Sequence, residues 1–96
     1  MNAEEVLATL RAVKPVIVKR YKVRSIDLFG SFVRGQQTAD SDIDLLAEFD
    51  DNADLFDLVG LALWLEELFQ RPVDVVPKRS LRAELQDTVL EQVITV

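Results

Sequence analysis

Two stretches, Val23-Arg-Ser-Ile-Asp-Leu-Phe-Gly-Ser31 and Ser41-Asp-Ile-Asp-Leu-Leu-Ala-Glu-Phe49, decide how this chain folds. The first is a short apolar segment closed by Gly30-Ser31. It predicts a strand over Val23 to Phe29 running into a turn, with Ser31 to Arg34 starting a brief helix. After a polar loop from Gly35 to Asp40, the second stretch predicts a largely buried strand over Ile43 to Phe49. Successive strand side chains point to opposite faces, so Asp42 and Asp44 share one face with their Cα atoms ~6.5 to 7 Å apart, two strand rises. Ile43 and Leu45 then point into the core.

Working outward, Ala3 to Lys14 predicts a helix, because Val6, Leu7, Leu10, Val13 and then Ile17 recur at three- and four-residue spacing. Pro15 kinks it or starts a second turn. Downstream, Asp50-Asp-Asn-Ala-Asp54 supplies an N-cap and first-turn negative charge for a helix from Leu55 to Phe69. Its expected core face is Leu55, Leu58, Val59, Ala62, Leu65 and Phe69. Arg71-Pro72 breaks that helix, Val73-Asp-Val-Val76 predicts a third strand, and Ser80 caps a last helix through Leu81, Leu85, Thr88 and Val89. Val93 to Val96 offers an edge strand or a partner contact. The alternation of helix and strand implies a small mixed sheet flanked by helices, of α/β or α+β class, in a single domain spanning 1–96.

The chain has 96 residues, 49% of them hydrophobic, with no cysteine and no histidine. Disulfide frameworks, cysteine nucleophiles and imidazole acid-base catalysis are thereby excluded, leaving carboxylates, hydroxyls, lysine and arginine for any chemistry. The longest apolar run, Leu58 to Leu65, is too short for a bilayer, and the acidic start Met-Asn-Ala-Glu-Glu is unlike a targeting segment, so a cytoplasmic protein with no membrane association is expected. A net charge of -6 disfavours stable nucleic-acid binding by counterion release. Clustered aspartates suit a hard divalent cation.

Three groups carry that chemistry: Gly30-Ser31 with Arg34-Gly35, Asp42-Ile43-Asp44, and Asp74 in the third strand. Two carboxylates on one face repel and raise one pKa unless a cation lies between them, and Asp74 is an acid in a segment that otherwise favours burial. A glycine between strand and helical turn lets a phosphate approach backbone N-H groups, and Ser31 adds a hydroxyl. Together they predict a site where carboxylates hold magnesium ions against a nucleotide's phosphates, as in two-metal catalysis with ions ~3.5 to 4 Å apart. Lys78 and Arg79, after the third strand, are weaker candidates for phosphate contact. Trp64 falls on the polar face of its helix, as a partner anchor or half buried beside the core. Tyr21 is expected to pack at a helix end rather than to be modified.

Gly30-Ser-Phe-Val-Arg-Gly35, the short spacer and Ser41-Asp-Ile-Asp-Leu45 resemble the signature of the nucleotidyltransferase superfamily related to DNA polymerase beta, in its minimal nucleotidyltransferase (MNT) branch. Arg71-Pro-Val-Asp-Val-Val76 and the closing Ser80-Leu-Arg pattern are similar to that branch too. The resemblance covers essentially the whole chain. It implies that Gly30 and Ser31 bind the triphosphate of ATP, that Asp42 and Asp44 hold Mg2+, and that Asp74 activates the acceptor hydroxyl as base, metal ligand or both. Arg34 is the added phosphate candidate. It further implies transfer of AMP to a tyrosine of a helical HEPN-domain toxin, for which the chain would be the antitoxin. Neutralisation by covering the partner, and transfer to a small molecule or RNA, stand as alternatives.

Overall fold

Local capping sets where the helices begin. The Asn2 side chain accepts from the Glu5 backbone N-H at 2.9 Å, and the Glu5 carboxylate accepts from the Asn2 N-H at 3.3 Å. This reciprocal pair opens α1, Ala3–Tyr21. Asp54 and Asp57 repeat the device at 3.1 and 3.0 Å to open α3, Leu55–Phe69. Lys22 and Gln70 each adopt a left-handed conformation as the two helices end. The computed structural model describes residues 1–38, 40–80 and 92–96. Its remaining elements are β1 (Val23–Phe29), α2 (Ser31–Arg34), β2 (Ile43–Phe49), β3 (Val73–Pro77), a 3-10 turn over Lys78–Ser80 and β4 (Ile94–Thr95). The helix expected after Ser80 lies outside the described residues.

The strands form one mixed sheet in the order β3-β2-β1-β4. β1 is antiparallel to both β2 and β4, whereas β2 and β3 are parallel, a pairing that needs a crossover connection, here supplied by α3. The mixed helix-and-sheet class expected from the sequence is the one observed. Val93 to Val96 does supply an edge strand: β4 pairs beside Asp27 and Leu28, and the Val96 N-H donates to the Ile26 carbonyl at 3.1 Å. Lys14 Nζ donates to the Val96 carbonyl at 3.1 Å, tying that edge to α1.

α1 and α3 cover one face of the sheet. Val6, Leu10 and Ile17 are fully buried with Ile26, Leu28, Ile43, Leu45, Leu61 and Leu65, and each such side chain contributes roughly 1.5 to 3 kcal/mol by leaving water. Pro15 is exposed inside α1 and does not divide it, so the helix runs on past Lys14 to Tyr21.

One expectation is corrected on α3. Leu55 and Val59, assigned to the core face, are exposed at 70% and 47%, while Leu61, absent from that assignment, is fully buried. The helix is apolar nearly all round, so periodicity alone does not choose the buried stripe; its docking on α1 and β3 does. Trp64 turns inward and is half buried, its ring 6.2 Å from that of buried Tyr21 at a 48° tilt. Gly60 makes room for the same tyrosine, since a Cβ there would meet Tyr21 Cε1 at 3.0 Å.

Candidate active site

β1 and β2 deliver the site's parts to one end of the sheet. Phe29, the last residue of β1, pairs with Asp44 near the start of β2. Gly30, the next residue, therefore lies against the Asp44 side chain. A Cβ on Gly30 would come within 2.9 Å of Asp44 Cγ and closer still to its carboxylate oxygen. Gly30 also has φ +79° and ψ -150°, a conformation essentially reserved for glycine. The residue is required twice, by backbone shape and by proximity to an acid. Immediately after it, half-buried Ser31 opens α2, whose N-terminus carries no side-chain cap.

The parallel pairing of β2 and β3 sets Asp44 directly beside Asp74. Asp44 is half buried and Asp74 exposed, on the sheet face opposite Ile43, Leu45, Val73 and Val75. Burial pushes the Asp44 carboxyl up from its ordinary pKa, and the neighbouring charges of Asp74 and then Asp42 push it further, while Arg34 opposes them. Asp42 itself lies just before β2 and is exposed, so it approaches Asp44 from a loop rather than from a second position on the strand. Arg34 Nε donates to Gln36 Oε1 at 3.0 Å on the exposed side of α2.

The sequence candidates are thus brought together, with two exceptions. Lys78 and Arg79 follow the far end of β3, where they border a small recess with Glu48 and Phe49, away from Gly30 and Ser31. Among the described residues, no three carboxylates converge as a finished metal cage. The donor set nevertheless fits a hard divalent cation: the site offers oxygen ligands, and the mutual repulsion acting on Asp44 is what a cation would relieve.

The sequence marks Arg71 as a helix breaker beside Pro72 and as the start of a family-like stretch, and assigns it no role in the site. Its Nη1 donates to the Ser41 carbonyl at 3.2 Å, and its guanidinium lies 5.5 Å from the ring centre of buried Phe32. No periodicity announces that pair of contacts.

A mixed sheet with a glycine-serine turn facing paired strand acids defines a nucleotide-handling α/β domain. Residues 10–96 match the nucleotidyltransferase domain model, and the chain belongs to that family. The protein adenylyltransferase MntA of Thermococcus cleftensis is 38% identical over 96 residues, spanning 100% of this chain and 97% of that protein. A solved minimal nucleotidyltransferase superposes with a TM-score of 0.86 at 35% identity, covering 100% of this chain and 97% of the other. A toxin-antitoxin structure with AMP-PNP gives a TM-score of 0.69 at 30% identity, over 99% of this chain and 72% of that chain. A tri-AMPylated Shewanella oneidensis HEPN toxin in complex with MNT antitoxin gives 0.63 at 27% identity, over 91% of this chain and 69% of that chain.

Proposed function

We propose that residues 1–96 act as one minimal nucleotidyltransferase domain that moves AMP from ATP to a tyrosine of a HEPN-domain protein and so serves as its antitoxin. The observation carrying this reading is the registered pair Asp44 and Asp74, set against a glycine whose missing side chain leaves room beside Asp44. Similarity to MntA and to the AMPylated toxin complex supports the choice of acceptor, and similarity to the AMP-PNP structure supports the nucleotide.

In this reading Gly30 and Ser31 hold the triphosphate at the uncapped start of α2, with Arg34 contributing positive charge from the same turn. Asp42, Asp44 and Asp74 would hold Mg2+. Magnesium, when bound, supplies charge neutralisation of the phosphate oxygens and of the departing pyrophosphate. The acceptor's phenolic oxygen attacks the α-phosphorus in line, forming the new P-O bond while the bond to the bridging oxygen of the β-phosphate breaks. Asp74, exposed where an incoming partner side chain can reach it, receives the phenolic proton.

Transfer of label from α-phosphate-labelled ATP with magnesium to proteins co-purifying with this chain tests the reading. Label on one partner, lost with Asp42→Asn and Asp44→Asn together, is the expected result; a stable partner that never takes label sinks it. A second reading, neutralisation by coverage, draws on the exposed Leu55, Phe56, Val59 and Leu63 of α3. It predicts that the same double variant still neutralises the partner.

A further inference from the structure

The segment linking α3 to β3 grips the aspartate-bearing chain on both sides of Asp42. On one side, Arg71 Nη1 donates to the Ser41 carbonyl at 3.2 Å. On the other, the Ile43 N-H donates to the Pro72 carbonyl at 3.0 Å. Asp42 itself is exposed and precedes the first residue of β2, so the ladder does not begin to hold the chain until the next position. The remaining contact of Arg71 reaches the other half of the site. Its guanidinium lies over Phe32, a 2%-exposed anchor that follows Ser31 in the four-residue α2. One further hydrogen bond steadies the clamp's own base, the Val73 N-H donating to Glu66 Oε1 at 3.3 Å.

We infer that Arg71 is a positioning residue for nucleotidyl transfer: it fixes the Asp42 loop relative to the Gly30-Ser31 turn, and it does so from the link that leads into the strand carrying Asp74. The Asp42 loop and the Gly30-Ser31 turn thus meet in one side chain, which lies three residues before Asp74 in the chain. A planar guanidinium is suited to the task, because it can donate at its edge to Ser41 while its Cζ lies over the Phe32 ring. Lysine could keep the hydrogen bond but has no face to stack. Both contacts use the guanidinium for protein groups, which separates this role from that of an arginine binding phosphate. The kinetic part of the inference rests on the transferase reading; the structural part does not.

The test compares wild type, Arg71→Ala and Arg71→Lys in the full chain with three readouts. These are label transfer from α-labelled ATP to the co-purifying acceptor at saturating nucleotide, binding of AMP-PNP with magnesium, and amide hydrogen exchange of the chain alone. For Arg71→Ala, kcat should fall about 10- to 100-fold, the scale of an ångström-sized misplacement of a catalytic group. AMP-PNP affinity should stay within about threefold, and the Ile43 amide should exchange at least about 10-fold faster while amides in the middle of α1 are unchanged. Arg71→Lys should recover part of kcat, and it carries the same readouts if the alanine variant does not fold.

Unchanged exchange at Ile43 together with unchanged kcat overturns the inference. Exchange that quickens equally in α1 makes Arg71 a general stabiliser and also overturns it. Lost AMP-PNP affinity with kcat retained at saturation assigns the side chain to phosphate binding instead. If wild type transfers no label at all, the transferase reading fails, while local exchange at Ile43 still decides whether Arg71 holds the loop.

Discussion

Replacing Gly30 by alanine separates the two demands placed on that residue. A side chain at φ +79° and ψ -150° is strained by roughly 1 to 3 kcal/mol. The new Cβ would also stand 2.9 Å from Asp44 Cγ and 3.0 Å from Asp44 Cβ. Restoring ordinary contact moves the carboxylate by on the order of 1 Å, a displacement that costs about 100-fold in rate when it misplaces a reacting group. Strain alone cannot imitate this. A domain with about 5 kcal/mol of stability, the low end for natural proteins, would still be more than nine-tenths folded after losing 3.

Gly35→Ala is the matched control. Gly35 has φ +69° and ψ 22°, but nothing lies within 4 Å of a Cβ built there. It should lose about 1 to 2 kcal/mol from the left-handed backbone, or roughly 4 to 8 °C of melting temperature per kcal/mol, with kcat within about twofold of wild type. Thermal melts and label transfer at 25 °C read both effects. If Gly30→Ala loses no more activity than Gly35→Ala once folded fractions are matched, the contact between Gly30 and Asp44 has no bearing on catalysis.

Four other substitutions probe the rest of the fold and site. Asp44→Asn should raise the melting temperature of metal-free protein at neutral pH, because burial and the charges of Asp74 and Asp42 disfavour the ionised form. The sign follows from linkage: a carboxyl whose pKa is raised on folding contributes stability below its unfolded pKa and loses it as pH rises through the folded value, so the variant's advantage should shrink in acid. Melts across pH that show no such convergence would refute the electrostatic account. Asp54→Ala removes the cap of α3 and should cost about 0.5 to 2 kcal/mol in a urea titration while label transfer by the folded protein is unchanged. Leu61→Ala, at a fully buried position, should cost about 2 to 5 kcal/mol, whereas Phe56→Ser, 86% exposed near the start of the same helix, should stay within about 0.5; equal effects would mean the buried face of α3 is misassigned.

Strand phase was the most legible feature of the sequence. Val23 to Phe29 and Ile43 to Phe49 carry runs whose ends are marked by glycine, serine and aspartate, and the strands occupy those bounds. The start of α3 was equally readable, because the Asp54 and Asp57 capping box is a local device. Its buried face was not, since Leu55, Phe56, Val59 and Leu63 are as apolar as the residues that pack, and only tertiary docking distinguishes them. Within the site, Asp44 and Asp74 could be proposed from the pattern, but their exact partnership depends on strand order. Arg71 was illegible as a site residue because its partners, Ser41 and Phe32, lie 30 and 39 positions away in the chain.

That strand order has a chemical consequence. In both β2 and β3 the acid occupies the second position, between apolar residues: Ile43-Asp-Leu45 and Val73-Asp-Val75. Two parallel strands in the same phase, registered Ile43 to Val73, must then place their acids side by side on the face opposite the core. An antiparallel pairing in which Ile43 and Val73 lay at opposite ends would separate them. The crossover through α3 therefore does more than bury apolar surface; it creates a pair of neighbouring like charges, one of them half buried, at the strand end where Gly30 leaves the backbone open. Judged by folding alone, that pairing is a local conflict. Such conflicts concentrate where a ligand, not the fold, resolves them.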